Sequence, residues 1–177
     1  MQIISITFKN GNVCRRIPEM LGMGGGGGLL VLGLGNRLLT DDGIGPAVLD
    51  MLRDRPIAAR LCDGGTVGLA LLPLVEDADA LIVLDAAHFS GAPGAVRVFL
   101  GPDMDAQAGR AANTVHEAGL ADILSAARLS GVLPERRALV GVQPEHTGWG
   151  LAPTPAVAAA APRACAEAIA LIQRWTQ

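Results

Sequence analysis

Two short runs constrain the fold more than any other feature of this chain. LLVLGLG at 29–35 is uncharged, too short for a core helix and closed by glycine; ALIVLDA at 80–86 is apolar as far as Asp85. Runs of this kind read as strands buried on both faces, the habit of parallel sheets, because a strand with one wet face alternates. Helical spacing follows the first run. Ile44, Val48, Leu49 and Leu52 predict a helix from Gly43 to about Asp54, with Pro46 tolerated in its first turn. Residues 58–62 form a further strand that leads into Asp63-Gly64-Gly65-Thr66, and Thr66 is placed to N-cap a helix reaching about Val75.

Pro93-Gly94 marks a turn, and AVRVFL at 95–100 alternates like a strand with one wetter face. Residues 101–113 read as a loop. Thr114-Val115-His116-Glu117 matches the capping box S/T-x-x-E, so a helix is expected from there to about Leu129. Arg137–Gln143 is another strand. An Ala-rich helix runs from Pro153 to about Trp175, kinked or restarted near Pro162. Strands alternating with helices imply an α/β fold whose parallel or mostly parallel sheet is covered on both faces.

The 177 residues suit one domain. Residues 23–177 are read as that domain. Residues 1–22, with the sole lysine (Lys9) and little periodicity, are read as a weakly ordered extension. The run of glycines from Gly24 to Gly28 favours flexibility. Translation start at Met20 or Met23 rather than Met1, or an edge strand at MQIISITF, are alternatives for this segment. With half the residues apolar and 18% charged, disorder over most of the chain is excluded.

Charge and cysteine content remove several function classes. A net charge of −3, with no basic segment, argues against nucleic-acid binding. Three widely spaced cysteines (Cys14, Cys62, Cys165) without a C-x-x-C pair exclude a disulfide framework and point to a reducing, cytoplasmic setting. The uncharged stretch 20–36 is too glycine-rich for a membrane helix, so no membrane association is expected. None of the four serines lies in G-x-S-x-G, which disfavours a serine nucleophile. Cys62, within a strand, is poorly placed to be a thiolate.

In a sheet of this kind the ligand crevice lies at the carboxyl ends of the strands. Three polar groups fall there: Gly35-Asn36 with Asp41 and Asp42 after the first strand, Asp63-Gly64-Gly65-Thr66 after the second, and Asp85 at the end of the third. A carboxylate ending a buried strand is costly unless it is paired, hydrogen-bonded or on a metal. His116, in a first helical turn, is kept neutral by the helix dipole, and the neutral imidazole is the form that binds metal. Two carboxylates and one imidazole form an oxygen and nitrogen set suited to a borderline ion such as nickel or zinc.

Each residue also has a plainer role open to it. Asp41 or Asp42 can cap the first helix, Asp85 can hold loop amides, His116 can be a surface histidine, and Asp63 can organise its own loop. His88 and His146 read as loop residues. A nucleotide site is a further option, since Gly33-x-Gly35 follows a strand and Asp63 ends the next. Leu38 replaces the third glycine of that fingerprint, and Asp41 and Asp42 repel a pyrophosphate.

Taken together, LVLGLGNRLLTDDGIG (30–45), DGGTVGLALL (63–72), LIVLDA (81–86), HEAGLADILSAARLSG (116–131) and LVGVQP (139–144) resemble the maturation endopeptidases of nickel–iron hydrogenases, over about residues 29–175. The resemblance implies a three-layer, phosphorylase/hydrolase-like α/β/α fold with a mixed five-stranded sheet. It implies an aspartyl-type processing endopeptidase that removes the C-terminal extension of a hydrogenase large-subunit precursor once nickel has been inserted. The family's three metal-contacting positions fall on Asp42, Asp85 and His116. Asp42 stands where the family often has Glu, one methylene longer. Gly35, Asn36, Asp41, Asp63, Gly64, Gly65 and Thr66 fall in the family's substrate-facing loops. Nickel is expected to arrive with the precursor, with zinc or cadmium able to substitute in vitro, and the chain is expected to act as a monomer. A nickel or hydrogenase assembly chaperone that kept the site and lost cleavage is the alternative.

Overall fold

The computed structural model describes residues 6–7, 13–14, 27–111 and 118–177. Its centre is a five-stranded sheet: β3 (Leu29–Leu34), β4 (Arg60–Gly65), β5 (Ala80–Ala86), β6 (Val96–Leu100) and β7 (Arg136–Val142), in the order β4-β3-β5-β7-β6. Four strands are parallel, and the edge strand β6 runs antiparallel to β7. This is the mixed sheet expected. Two short strands near the N-terminus, β1 (Ile6–Thr7) and β2 (Val13–Cys14), pair antiparallel with each other. The remainder of the expected N-terminal extension lies outside the described residues.

The sheet is covered on both faces, which explains its unbroken apolar strands. On one face α1 (Ile44–Arg53) and α5 (Pro155–Thr176) pack against Leu29, Val31, Ile82, Leu84, Val140 and Val142. On the other, α2 (Leu72–Glu76), α3 (Pro102–Ala111) and α4 (Ala118–Leu129) pack against Leu30, Leu32, Leu81, Val83 and Leu139. The odd and even residues of β3 thus serve opposite layers, as the two-residue period of a strand requires. Helix α1 lies close on the sheet through Gly45, where a Cβ would stand 2.2 Å from the Leu34 carbonyl oxygen and 2.3 Å from that of Leu84.

The elements depart from sequence expectation in four places. The segment 101–113, expected as loop, contains α3. Pro102 and the acidic Asp103 and Asp105 suit a helix start, while Met104, Gln107 and Ala108 form one buried stripe. The stripe is too weakly apolar to stand out in sequence. The second strand runs on to Gly65, so Asp63 and Gly64 belong to β4 and not to a following loop. Thr66 caps no helix: Gly65 and Gly68 adopt positive φ (49° and 55°), a 3-10 turn occupies Gly68–Leu71, and α2 starts only at Leu72. At Pro162, where a kink or a restart is expected, helix α5 continues as one element, so the restart does not occur.

The capping box at Thr114–Glu117 lies outside the described residues. The described part of its helix, α4, ends at Leu129 as expected. Helix α5 is, by length and composition, apolar enough to cross a membrane, which the sequence reading did not anticipate. Its stripe of Val157, Ala164, Cys165, Ala168 and Ile172 is buried in the core beside α1.

Candidate active site

The chain turns left from β3 to β4 and right to β5, so the crevice between the carboxyl ends of β3 and β5 is the switch point at which α/β sheets bind ligands. A cleft of about 200 Å³ opens there. Asp42, from the loop after β3, and Asp85, at the end of β5, both line it, together with Gly35, Gly65 and Thr66. Gly119, Leu120 and Ile123 of α4 supply another wall. Asp85 has the same strand parity as Leu81 and Val83, which face the α4 layer, and this directs it towards that wall.

The β3–α1 loop presents Asp42 through a set of local bonds. The Asn36 N–H donates to Asp42 Oδ2 at 2.7 Å, and the Asp42 N–H donates to the Leu39 carbonyl at 2.8 Å. Asn36 Oδ1 accepts the Leu38 N–H. Asn36 therefore acts from behind the carboxylate. Gly35 has φ +119°, and a Cβ there would lie 1.8 Å from the Asp42 carbonyl oxygen, so only glycine lets the loop fold back this closely. The Gly35 N–H donates to the Gly65 carbonyl at 3.0 Å, joining the β3 and β4 sides of the cleft.

Asp41 has a different task. It is fully buried, and its carboxylate accepts the N–H groups of Glu145 (2.8 Å), His146 (2.9 Å) and Thr154 (2.6 Å) and the Thr154 hydroxyl (3.1 Å). Burial alone would raise its pKa. These donors, led by His146 and Thr154, outweigh burial and hold the carboxyl below its ordinary range. Neighbouring bonds zip the same two loops: Thr40 donates to the Gly150 carbonyl from its N–H and to the His146 carbonyl from its hydroxyl, at a strained φ of +32°. Asp41 thus braces the loop that carries Asp42, and neither acidic residue gives the 3-10 turn at Thr40–Gly43 a side-chain cap.

Asp63 is also turned into the protein. It is buried, accepts Arg37 Nη2 at 3.1 Å, and takes the Gly65 N–H on its other oxygen. Arg37 also reaches Asp50 of α1 at 2.8 Å. Asp63 acts from within β4, tying Arg37 of the β3–α1 loop to the strand end, and a carboxylate engaged in this way is not the free ribose acceptor of a nucleotide site. Gly64 is buried, where a Cβ would press on Leu34 and Leu71. Of the residues expected at the site, the structure brings Gly35, Asp42, Gly65, Thr66 and Asp85 together, with Asn36 behind Asp42. Asp41, Asp63 and Gly64 shape the framework. His116 lies outside the described residues; α4, whose described part begins two residues later, borders the cleft.

Among the described residues no group of three His, Cys, Asp or Glu side chains is placed to hold a metal. The cleft offers two carboxylates, a donor set that needs a further ligand to bind a borderline divalent ion. Two buried residues beside the site escaped sequence reasoning. Gln143 accepts the N–H groups of Phe89 and Gly91 on Oε1, and Gln107 Nε2 donates to the His88 carbonyl, so both hold the segment that follows Asp85. Gln143 lies within the LVGVQP stretch, which was its only signal.

Comparison with known proteins identifies the family. The profile of the HycI hydrogenase maturation protease family matches residues 49–171. The chain is 39% identical over 151 residues to the hydrogenase expression/formation protein HupD of Rhodobacter capsulatus, covering 83% of this chain and 72% of the relative. It is 38% identical to the hydrogenase 2 maturation protease of Escherichia coli K12, covering 74% and 82%. The solved structure of the E. coli hydrogenase maturating endopeptidase HybD superposes with a TM-score of 0.77 at 36% identity, covering 82% of this chain and 92% of that one. On these grounds the chain is a peptidase belonging to the hydrogenase maturation protease family.

Proposed function

We propose that this peptidase removes the C-terminal extension of a nickel-loaded hydrogenase large-subunit precursor, and that Asp42, Asp85 and His116 recognise the precursor's nickel. The observation that supports this most is the convergence of Asp42 and Asp85 on one cleft at the switch point, beside the wall formed by α4. The nickel belongs to the substrate. Bound by two carboxylates and an imidazole, it retains open positions and supplies Lewis-acid chemistry at the scissile peptide, on the carbonyl or on a water. The chain's own contribution is position. Asn36 and Gly35 fix the Asp42 carboxylate, Asp41 braces that loop, and the β5 strand end fixes Asp85. Zinc or cadmium can stand in for nickel on the same donors.

The chain is proposed to act as a monomer in the cytoplasm, in keeping with Cys62 and Cys165 being buried and outside any disulfide. Binding of precursor tests the recognition claim. Nickel-loaded precursor should bind at least tenfold more tightly than metal-free precursor, and Asp42→Asn or Asp85→Asn should erase the difference. Equal affinity for both forms would reject nickel as the recognised element.

A further inference from the structure

Gln107 of α3 is 2% exposed, and its amide is used at one end only. Nε2 donates to the His88 carbonyl at 2.7 Å. A carbonyl only accepts, so this bond fixes which end of the amide faces His88 and leaves Oε1 directed elsewhere. Among the described residues, Gln107 Oε1 is one of two buried side-chain polar atoms without a hydrogen-bond partner; the other is Arg60 Nε. Gln143, the other buried glutamine holding the same segment, has both amide ends engaged.

Gln107 also lines a small pocket with a volume of about 10 Å³, behind the main cleft. That is close to the space of one water. Ala108, Leu120 and Leu139 give the pocket apolar walls, and Asp85 is its other polar side chain. Asp85 therefore borders both the main cleft and this pocket. A carboxylate and an amide oxygen are both acceptors and cannot bond to each other. A water carries two hydrogens and can donate one to each.

We propose that Gln107 is a positioning residue for Asp85, acting through a single water that donates one hydrogen to Gln107 Oε1 and the other to the Asp85 carboxylate. The water fixes the Asp85 carboxylate from behind, so that its remaining lone pairs face the cleft. Partners behind a metal-binding residue commonly alter metal affinity by about 10- to 100-fold when removed. The consequence for metal rests on the reading of Asp85 as a nickel-recognising group, whereas the bridge itself does not.

Two measurements on the full chain test the bridge. A high-resolution crystal structure should show an ordered water about 2.5–3.0 Å from both Gln107 Oε1 and an Asp85 oxygen. A dry pocket, or a water touching only one of them, overturns the proposal. Gln107→Met keeps the volume and removes the Oε1 acceptor together with the Nε2 donor to the His88 carbonyl. It should weaken zinc binding to the isolated protein about tenfold, while Met104→Leu, a change at another buried position of α3 that lines neither cavity, leaves zinc affinity unchanged. Equal zinc affinity of wild type and a folded Gln107→Met protein also overturns it. If Gln107→Met does not fold, the wild-type water still decides. A bridge that is present in a protein unable to discriminate nickel-loaded precursor would reject the proposed function alone.

Discussion

Asp41 and Asp42 are adjacent in sequence and opposite in use: Asp41 is sealed inside, accepting four hydrogen bonds from the 145–154 loop, while Asp42 lines the cleft. Neutralising each should therefore give opposite phenotypes. Asp41→Asn places an amide among donors that require an acceptor, and should cost about 3 kcal/mol, or roughly 10 °C in a thermal melt for a chain of this size. Asp42→Asn should melt close to wild type and lose processing of precursor. A melt shared by both variants would show that the division of labour is wrong.

The cleft's place in the fold was largely legible in the sequence, because a switch-point cleft follows from the alternation of apolar runs and helices. The division between Asp41 and Asp42 was not. The partners that bury Asp41 lie 104 to 113 residues further along the chain, and no local pattern announces them. Helix α3 was missed for a related reason. Its buried stripe is one methionine, one glutamine and one alanine, and its stability is shared with Arg137 and Arg128, which reach Asp105 at 2.6 Å from β7 and α4. Asp63 was placed in a loop because Asp-Gly-Gly reads as a turn, yet the ladder with β3 carries the strand through it.

Acid should unfold the protein by removing two particular carboxylates. Hydrogen bonds from Arg137, opposed by burial and reinforced by the charges of Arg137 and Arg128, hold Asp105 below its ordinary value of 3.8, and Asp41 is lowered as well. A depressed carboxyl stabilises the fold above its unfolded value and loses that contribution as pH falls through the folded one. Melting temperature should stay level from about pH 7 to pH 5 and drop steeply below about pH 4. Asp105→Asn should lower the neutral-pH melt and flatten the acid limb. An unchanged acid limb in Asp105→Asn would contradict the assignment.

Gly45 sets how closely α1 lies on the sheet. Gly45→Ala forces a methyl into the Leu34 and Leu84 carbonyl oxygens, so helix or strand must shift, at a cost of about 3 kcal/mol. Chemical denaturation is the suitable readout. A midpoint equal to wild type would show that the helix rides further from the sheet.

His116 is expected to complete the ligand set with Asp42 and Asp85. A zinc-soaked crystal should place an ion about 2.0–2.2 Å from oxygen atoms of both aspartates and from a His116 nitrogen. His116→Gln should change stability by less than about 1 kcal/mol and abolish processing, because an amide is a poor substitute for imidazole on a borderline metal. Full processing by a normally folded His116→Gln protein would leave His116 a surface residue of its helical turn.

The most direct measurement is cleavage itself. Purified protein is mixed with hydrogenase large-subunit precursor in nickel-loaded and metal-free forms, and the products are weighed by mass spectrometry. Nickel-dependent processing predicts one cut that removes the C-terminal extension from the loaded precursor and leaves the metal-free form intact. Equal trimming of both forms, or a stable complex with loaded precursor and no cut, would contradict it, the second result in favour of an assembly chaperone.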